Sequence, residues 1–500
     1  MSAARPPLKV LVELRTALEG HTGIGQISRM LFSGLSQSQV LRVDGLLQHS
    51  ELLLSPGLSP RGNRWGRRLR PNARVNRLGS VVISLEQDSR LAPLRAVGPT
   101  LAMAIWHLLG GRQRLTRFDA RQFRDYVWRH FFAQTLPAED FDVVTRAGFR
   151  IERIPWNALH LCAMVFRKLG FSLYPRLNTA EFDVFVSQTP FPGSVSRNTL
   201  HIVHYHDALP LLMPHTISLR KFHQAFHYRA LRKNVEMGAW FVCVSEATRK
   251  DLLSIFPQLE TRSVTIHNMV SREFRDEPTP PDRVPQIIAA RLSTRIEPVL
   301  NRVFRRNLFT EVARHAPLQY LLMVGKMEPR KNHLALLAAW EQLRSESFPS
   351  LKLVVVGPLG QQHEAVIRRF YPWLERCEAF VLEDLTVADM RLLYKHARAT
   401  VCPSLGEGFD FSGVEAMKSG GAVIASDIPA HLEIYEDAAE YFNAYSVEDL
   451  CRAIRAVIDP ANAGRRQELV AKGALVSARY DAEVILPKWD AFLKSHAEPR

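Results

Sequence analysis

From Gln319 onward the chain alternates short apolar runs with longer amphipathic ones, and this pattern restricts its fold more than any other feature. "YLLMVG", "LKLVVVG", "AFVLED", "ATVCPS" and "AVIASD" read as strands. Between them, "NHLALLAAWEQLR", "QQHEAVIRRFYPWL" and "TVADMRLLYKHA" read as helices, the first with Leu334, Leu337 and Ala338 on its inward face. Strands separated by helices of about ten residues or more form βαβ units and a parallel sheet. The runs are apolar throughout, as in strands covered on both faces. Ligands of such sheets sit beyond the carboxyl ends of the strands.

The first half shows the same scheme less regularly. "LKVLVEL" reads as a strand, Gly23 and Gly25 punctuate the turn after it, and Ile27, Met30, Leu31 and Leu35 follow at helical spacing. "EFDVFVSQ" and "LHIVHYHD" are further strands, then a helical stretch runs from about 217 to 237. In "AWFVCVSEATRKDLLSIFP" a strand leads to Ser245 as N-cap, a helix with Leu252 and Leu253 inward, and Pro257 as its stop. "SVTIHN" is one more strand, and three helices end the chain. The fold class is therefore α/β, with two doubly wound domains facing a central cleft. We expect a first domain over 1–310, with a basic insertion at about 55–180 and a linker at about 273–315. A second domain covers 316–480, and a C-terminal helix 481–500.

Charge is uneven along the chain. The net charge is +15, and residues 1–250 hold about 34 basic against about 17 acidic side chains, leaving the second half near balance. The densest part, Arg61 to Gly79, has seven arginines and no acid. It reads as a solvated loop or as a patch for an anionic membrane through Arg61–Arg77. Nucleic acid is disfavoured because no interleaved aromatic pattern accompanies the charge. The longest apolar stretches are shorter than the roughly 20 residues that span a bilayer, and the N-terminus shows no signal-peptide core. Five scattered cysteines with no CxxC pair read as buried thiols in a reducing compartment. The expected location is cytoplasmic, with peripheral contact at the inner face of a membrane.

Two loops carry candidate chemistry. In "GEGFDFSGVEAMKSGG", Glu407 lies in the loop after a strand and Glu415 in the first turn of the helix that follows. Backbone N–H groups at that helix start bind phosphate, while carboxylates accept hydrogen bonds from hydroxyls. A molecule with sugar, diphosphate and ribose parts suits such a site. The plainer alternative makes Glu415 a complement to the helix dipole and Glu407 a solvated loop acid. In "VGKMEPRKNH", Lys326, Arg330 and Lys331 lie at the carboxyl edge of another strand, where cations can neutralise a diphosphate leaving group without a metal. Here the alternative is a solvated basic turn with Asn332 as helix cap. His204 and His206 share a strand face with Asp207 pointing away, so His206 reads as a donor-site or a structural histidine rather than a metal ligand.

These motifs resemble glycosyltransferase family 4, the retaining transferases of GT-B fold. The family's E-x7-E element matches Glu407 and Glu415, and its G-R-x4-K-N element resembles Gly325, Lys326, Lys331 and Asn332. Its TGIGR turn resembles Thr22 to Gln26, its HD element His206 and Asp207, and its VSxxxxxDL helix start Val244, Ser245, Asp251 and Leu252. The resemblance implies two Rossmann-like domains, the first holding the acceptor and the second a nucleotide-diphospho-sugar, with no metal and no further cofactor. It implies catalytic roles for Glu407, Lys331 and His206. Donor contacts would come from Gly23, Gly25, Lys326, Arg330, Lys331 and Glu407, and from Phe409, Asp410, Phe411, Ser412, Gly413, Val414 and Glu415. Within the family, the pattern resembles bacterial mannosyl- and rhamnosyltransferases of surface and lipopolysaccharide-type glycans. The expected donor is GDP-mannose and the expected acceptor a glycan or lipid-linked glycan. Three positions depart from the family: Lys326 stands for Arg, Asp410 for the Gly of EGFG, and Gln26 for the Arg after GIG. A nucleotide-sugar epimerase on the same scaffold and a non-catalytic protein binding anionic lipid or nucleic acid are the alternatives.

Overall fold

The computed structural model describes residues 6–18, 20, 22–59, 71–87, 92–165, 172–216, 220–293, 317–360 and 363–497. Ten strands lie in the first part of the chain: β1 (Leu8–Glu13), β2 (Leu41–Leu47), β3 (Gln113–Arg114), β4 (Thr116–Phe118), β5 (Gly148–Ile151), β6 (Leu177–Asn178), β7 (Val184–Ser187), β8 (Leu200–Tyr205), β9 (Trp240–Cys243) and β10 (Ser263–Thr265). Eight of them form one sheet in the order β10-β9-β8-β7-β1-β2-β5-β4, and β3 pairs with β6 apart from it. All its pairings are parallel except β4 with β5.

Six more strands, β11 (Tyr320–Val324), β12 (Lys352–Val356), β13 (Ala379–Leu382), β14 (Ala399–Cys402), β15 (Val423–Ser426) and β16 (Ala439–Phe442), form a second, wholly parallel sheet. Its order is β13-β12-β11-β14-β15-β16. Side chains alternate strictly between two cores. Tyr320, Leu322, Val354 and Val356 enter one, while Leu321, Met323, Leu353 and Val355 enter the other. Burial on both faces is why these strands are unbroken apolar runs.

Several elements differ from the sequence expectation. The stretch expected as an insertion supplies β4 and β5, so it extends the first sheet itself. The expected linker is packed where it is described: Phe274, Val284, Ile287 and Ile288 join the second-sheet core, and Leu292 bridges Leu382. Its remainder, 294–315, lies outside the described residues, as does Arg61–Arg70 of the basic patch. The Arg74 and Arg77 that remain are tied to Asp119 and to the Pro56 carbonyl. Of the three residues expected inward, Leu337 is buried, Ala338 is half-buried and Leu334 is exposed; the His333–Glu346 helix also buries Leu336, Trp340 and Leu343. Its N-cap, Asn332, takes a left-handed backbone and makes no side-chain cap bond, donating its amide to the Ala444 carbonyl. Cys377 is only half-buried, unlike the other four cysteines.

The chain ends by crossing back. Tyr480 belongs to the second-sheet core, whereas Ile485, Trp489, Phe492 and Leu493 of the Ala482–His496 helix join the first. Leu486 sits so close to Gly34 that any Cβ there would collide with it. The last helix therefore straps the two domains together.

Candidate active site between the two sheets

β11 and β14 are neighbours although two strands separate them in sequence. The chain steps outward through β12 and β13, then returns to the other side of β11. Loops at such a switch point diverge and leave a crevice at the carboxyl ends of the strands. The loop after β11 carries Lys326 to Lys331, and the loop after β14 carries Glu407 to Asp410. Both line a cavity of about 730 Å³, closed on its far side by Gly23, Gln26, His206 and Asp207 of the first domain. That volume falls in the range of about 300–1,000 Å³ typical of small-molecule sites.

The ionic network is dense. Lys331 Nζ lies 2.7 Å from Glu407 Oε1 and 3.6 Å from Asp410 Oδ1. Arg330 Nη1 lies 2.6 Å from Glu407 Oε2 and its Nε 3.3 Å from Glu328 Oε2, while Glu328 Oε1 faces Lys326 Nζ across 3.0 Å. Three cations thus meet three carboxylates. Burial pushes the Glu407 carboxyl up, but Arg330 and Lys331 outweigh it and hold the group below its usual range. For Asp410, Lys331 and His431 likewise overcome desolvation and hold it well below. Burial depresses the Lys331 ammonium, and Asp410 and Glu407 more than restore it, so it stays charged. Asp410 also caps the Phe411–Lys418 helix by accepting from the Ser412 N–H. That is the local reason an acid can stand at this position.

Glu415 behaves differently. It is the fifth residue of that helix, just past the first turn where it was expected, and is buried. Desolvation pushes its carboxyl up to about 7, opposed by hydrogen bonds from Gln26 Nε2 at 3.0 Å and Tyr394 Oη at 2.9 Å. Gln26, the departure noted after GIG, thus bridges the two domains.

The glycines around Glu407 answer to packing. A Cβ on Gly408 would collide with the His206 carbonyl, and one on Gly406 would press on Leu209 and Met213. The Glu407 loop can lie against the first domain only without side chains there. Gly420, which stops the helix, holds φ +79°. Gly23 faces Phe411 across the cleft. Thr22 caps the Gly23–Gln37 helix, so Gly23 and Gly25 stand in its first turn rather than in a turn before it.

Of the candidate residues, Gly23, His206, Lys326, Arg330, Lys331, Glu407, Phe409, Asp410, Phe411, Ser412 and Glu415 line the cavity. Gly25, Gly413 and Val414 do not: Gly25 packs on the Thr16 carbonyl, Gly413 on the Tyr435 ring, and Val414 is core. Asp207 lines the cavity together with His206, contrary to the alternation argument. β8 ends at Tyr205, so strand alternation no longer applies two residues later. Burial drives the His206 imidazole down to about 3, and its Nε2 is buried with no hydrogen-bond partner. Glu328 and Tyr394 were missed. Glu328 could have been read from its place between Lys326 and Arg330, but nothing in the sequence marks Tyr394. Among the described residues, no group of three or more His, Cys, Asp or Glu side chains could hold a metal ion. A larger hollow of about 900 Å³ on the first domain has Arg229, Arg232, Lys233 and Glu236 as its ionic groups. There Glu236 pairs with Arg232 and Lys233.

Comparison with known proteins agrees with this fold. Residues 319–459 match the family model described as glycosyl transferases group 1. The serotype-specific mannosyltransferase WbdA of Escherichia coli is 35% identical over 135 residues, 27% of this chain and 16% of that protein. The O-antigen chain mannosyltransferase B of Escherichia coli is 26% identical over 210 residues, 42% of this chain and 49% of that protein. The chain thus spans a sixth to a half of the length of these relatives. Sucrose-phosphate synthase from Thermosynechococcus elongatus superposes over 98% of both chains with a TM-score of 0.55 at 14% identity, a likeness of fold. Residues 319–459 are a glycosyl transferases group 1 domain, set in a chain of GT-B fold.

Proposed function

We propose that the chain moves a hexose, of the mannose type, from a nucleoside-diphosphate sugar to a glycan or lipid-linked glycan acceptor in cell-surface polysaccharide synthesis. The observation that carries this is the meeting of Lys331 and Glu407 at the β11–β14 switch point, inside a cavity that both domains wall. In this reading the donor lies against the second sheet. Its diphosphate displaces the carboxylates from Lys326 and Lys331 and takes the free N–H groups of the Phe411–Lys418 helix. Glu407 turns to the hydroxyls of the transferred sugar and Glu415 to the ribose. The neutral His206 offers its unpartnered Nε2 to a sugar hydroxyl near the reacting carbon. The bond from the anomeric carbon to the diphosphate oxygen breaks, and the acceptor oxygen takes its place from the same face, with retention. The departing diphosphate keeps the electron pair and receives the acceptor's proton. Stabilising that developing charge with preorganised cations in a closed site is the main source of rate. No metal is called for. The relatives named as mannosyltransferases support the mannose-type sugar; guanosine as the base of the donor and work at the inner face of a membrane belong to the proposal.

The test pairs binding with turnover. GDP-, UDP-, ADP- and dTDP-sugars are screened for thermal stabilisation, and the best donor is incubated with acceptor. One sugar should stabilise the chain and be consumed only with acceptor, and Glu407→Gln and Lys331→Ala should each lower transfer by about a hundredfold or more. Transfer surviving within about tenfold in both variants would remove these residues from the reaction. Conversion of the free nucleotide sugar without acceptor would instead make the protein an epimerase.

A further inference from the structure

The Ala92–Leu108 helix breaks the usual rule for a surface helix. One face is seated: Met103 and Ala104 join the core of Leu11, Leu46, Leu159 and Phe185, and Ala96 is buried. The opposite face is apolar as well. Leu94, Val97, Leu101, Ile105 and Leu108, spaced three or four apart, are each at least half exposed, and so are Trp106 and Leu109 just beside them. Seven large apolar side chains held open to water on one helix and its end exceed what a soluble monomer ordinarily shows. The helix is attached to the domain and only 17 residues long, and no helix among the described residues is long and apolar enough to cross a membrane.

Charge indicates what covers this face. Residues 91–118 contain Arg95, Arg112, Arg114 and Arg117 and not one acid. Arg95, Arg112 and Arg114 are exposed. A second copy docked by two-fold symmetry would set this acid-free segment against itself, arginine facing arginine. A nucleic acid would meet aliphatic side chains where it needs polar ones. A surface apolar at depth and anionic at its rim matches both components, as for helices that lie in the plane of a bilayer.

We propose that this face is a membrane-docking surface. The helix lies flat at the headgroup level of an anionic bilayer, its leucine, valine and isoleucine stripe turned toward the acyl chains, with Arg95 and the following Arg112 and Arg114 against lipid phosphates. The claim is separate from sugar transfer, since none of these residues lines the cleft.

The experiment is co-sedimentation of the full chain with vesicles of phosphatidylglycerol or of phosphatidylcholine. The chain should bind the phosphatidylglycerol vesicles more tightly, less so as salt rises. The double variant L101D/I105D should need about tenfold more lipid or beyond for half-binding. Both side chains are exposed, so its thermal transition and its stabilisation by nucleotide sugar should match the parent. As a second readout, brominated phosphatidylglycerol should quench tryptophan emission, and W106F should lose part of that quenching. Failure of the parent to sediment with phosphatidylglycerol, or equal binding by L101D/I105D, overturns the proposal. So does sedimentation velocity showing a parent dimer that the double variant dissolves, which would give the face to a second copy.

Discussion

Glu415→Gln should make the protein more stable at alkaline pH while impairing its function. The wild-type carboxyl is buried and pushed from an ordinary 4.5 to about 7, chiefly by desolvation. Below about pH 4.5 the group is protonated whether the chain is folded or not, and nothing is lost. Between 4.5 and about 7 the unfolded chain releases its proton and the folded one does not, so stability falls as pH rises. Above about 7 the loss is complete, and the difference between the two values corresponds to about 3 kcal/mol. The amide carries no charge and can still accept from Tyr394 while facing Gln26. At worst it forfeits one hydrogen bond of about 1 kcal/mol. The variant should therefore exceed wild type by roughly 2–3 kcal/mol at pH 8 and match or fall slightly below it at pH 4.5. Urea unfolding of both proteins, followed by tryptophan emission across that range, measures the difference. Stabilisation by nucleotide sugar should meanwhile weaken, because the proposed ribose partner has lost its charge. A stability difference that stays flat with pH, or a variant weaker than wild type at pH 8, would refute the argument that Glu415 is strained by burial.

Lys331→Met should cost about 3–5 kcal/mol near neutral pH, because it breaks a buried ion pair, leaving Glu407 with Arg330 alone and Asp410 with His431 alone. Both acids are held below their usual range, so their contribution is present above the ordinary carboxylate pKa and vanishes as pH falls through the depressed one. The deficit of the variant should shrink on acidification below about pH 4, as denaturation at several pH values would show. Gly408→Ala drives a Cβ into the His206 carbonyl. It should open the cleft and abolish stabilisation by donor sugar while leaving secondary structure intact by circular dichroism. Glu433→Ala removes a carboxylate that accepts from the Glu246 and Ala247 N–H groups at 2.6 and 2.7 Å and faces His267 at 2.8 Å, capping a first-domain helix from the second domain. A loss of about 1–2 kcal/mol and a larger radius in solution scattering are expected.

The second sheet was legible because both its faces are covered, so each strand declares itself as a continuous apolar run. The same physics hides much of the first domain. β4 and β5 are short, and their arginines keep contact with acids: Arg150 reaches Asp44 and Glu181 from within the sheet, so no apolar run marks it. The Ala92–Leu108 helix is apolar on both faces, which erases the period that would have located it. The phase of the His333–Glu346 helix slipped for a third reason. His333 is buried, at 2% exposure, and the left-handed Asn332 turns the chain just before it, so the inward stripe does not begin at the first leucine.

The site divides along a similar line. Lys331 and Glu407 could each be placed at the carboxyl end of a strand, because the end of an apolar run is local information. That the two loops face each other is not local. It follows from the order β13-β12-β11-β14-β15-β16, in which the chain reverses direction beside β11. Right-handed crossovers fix the hand of each step but not where the reversal falls. The charges favour this point: three cations follow β11, while Glu407 and Asp410 follow β14. If the reversal fell elsewhere, neither loop would meet its opposite charge at the strand ends. Glu407 and Asp410 would be left buried and uncompensated, at several kcal/mol each. The pairing that prepares the cleft for an anionic ligand is therefore also one of the interactions that favours this sheet order over its alternatives.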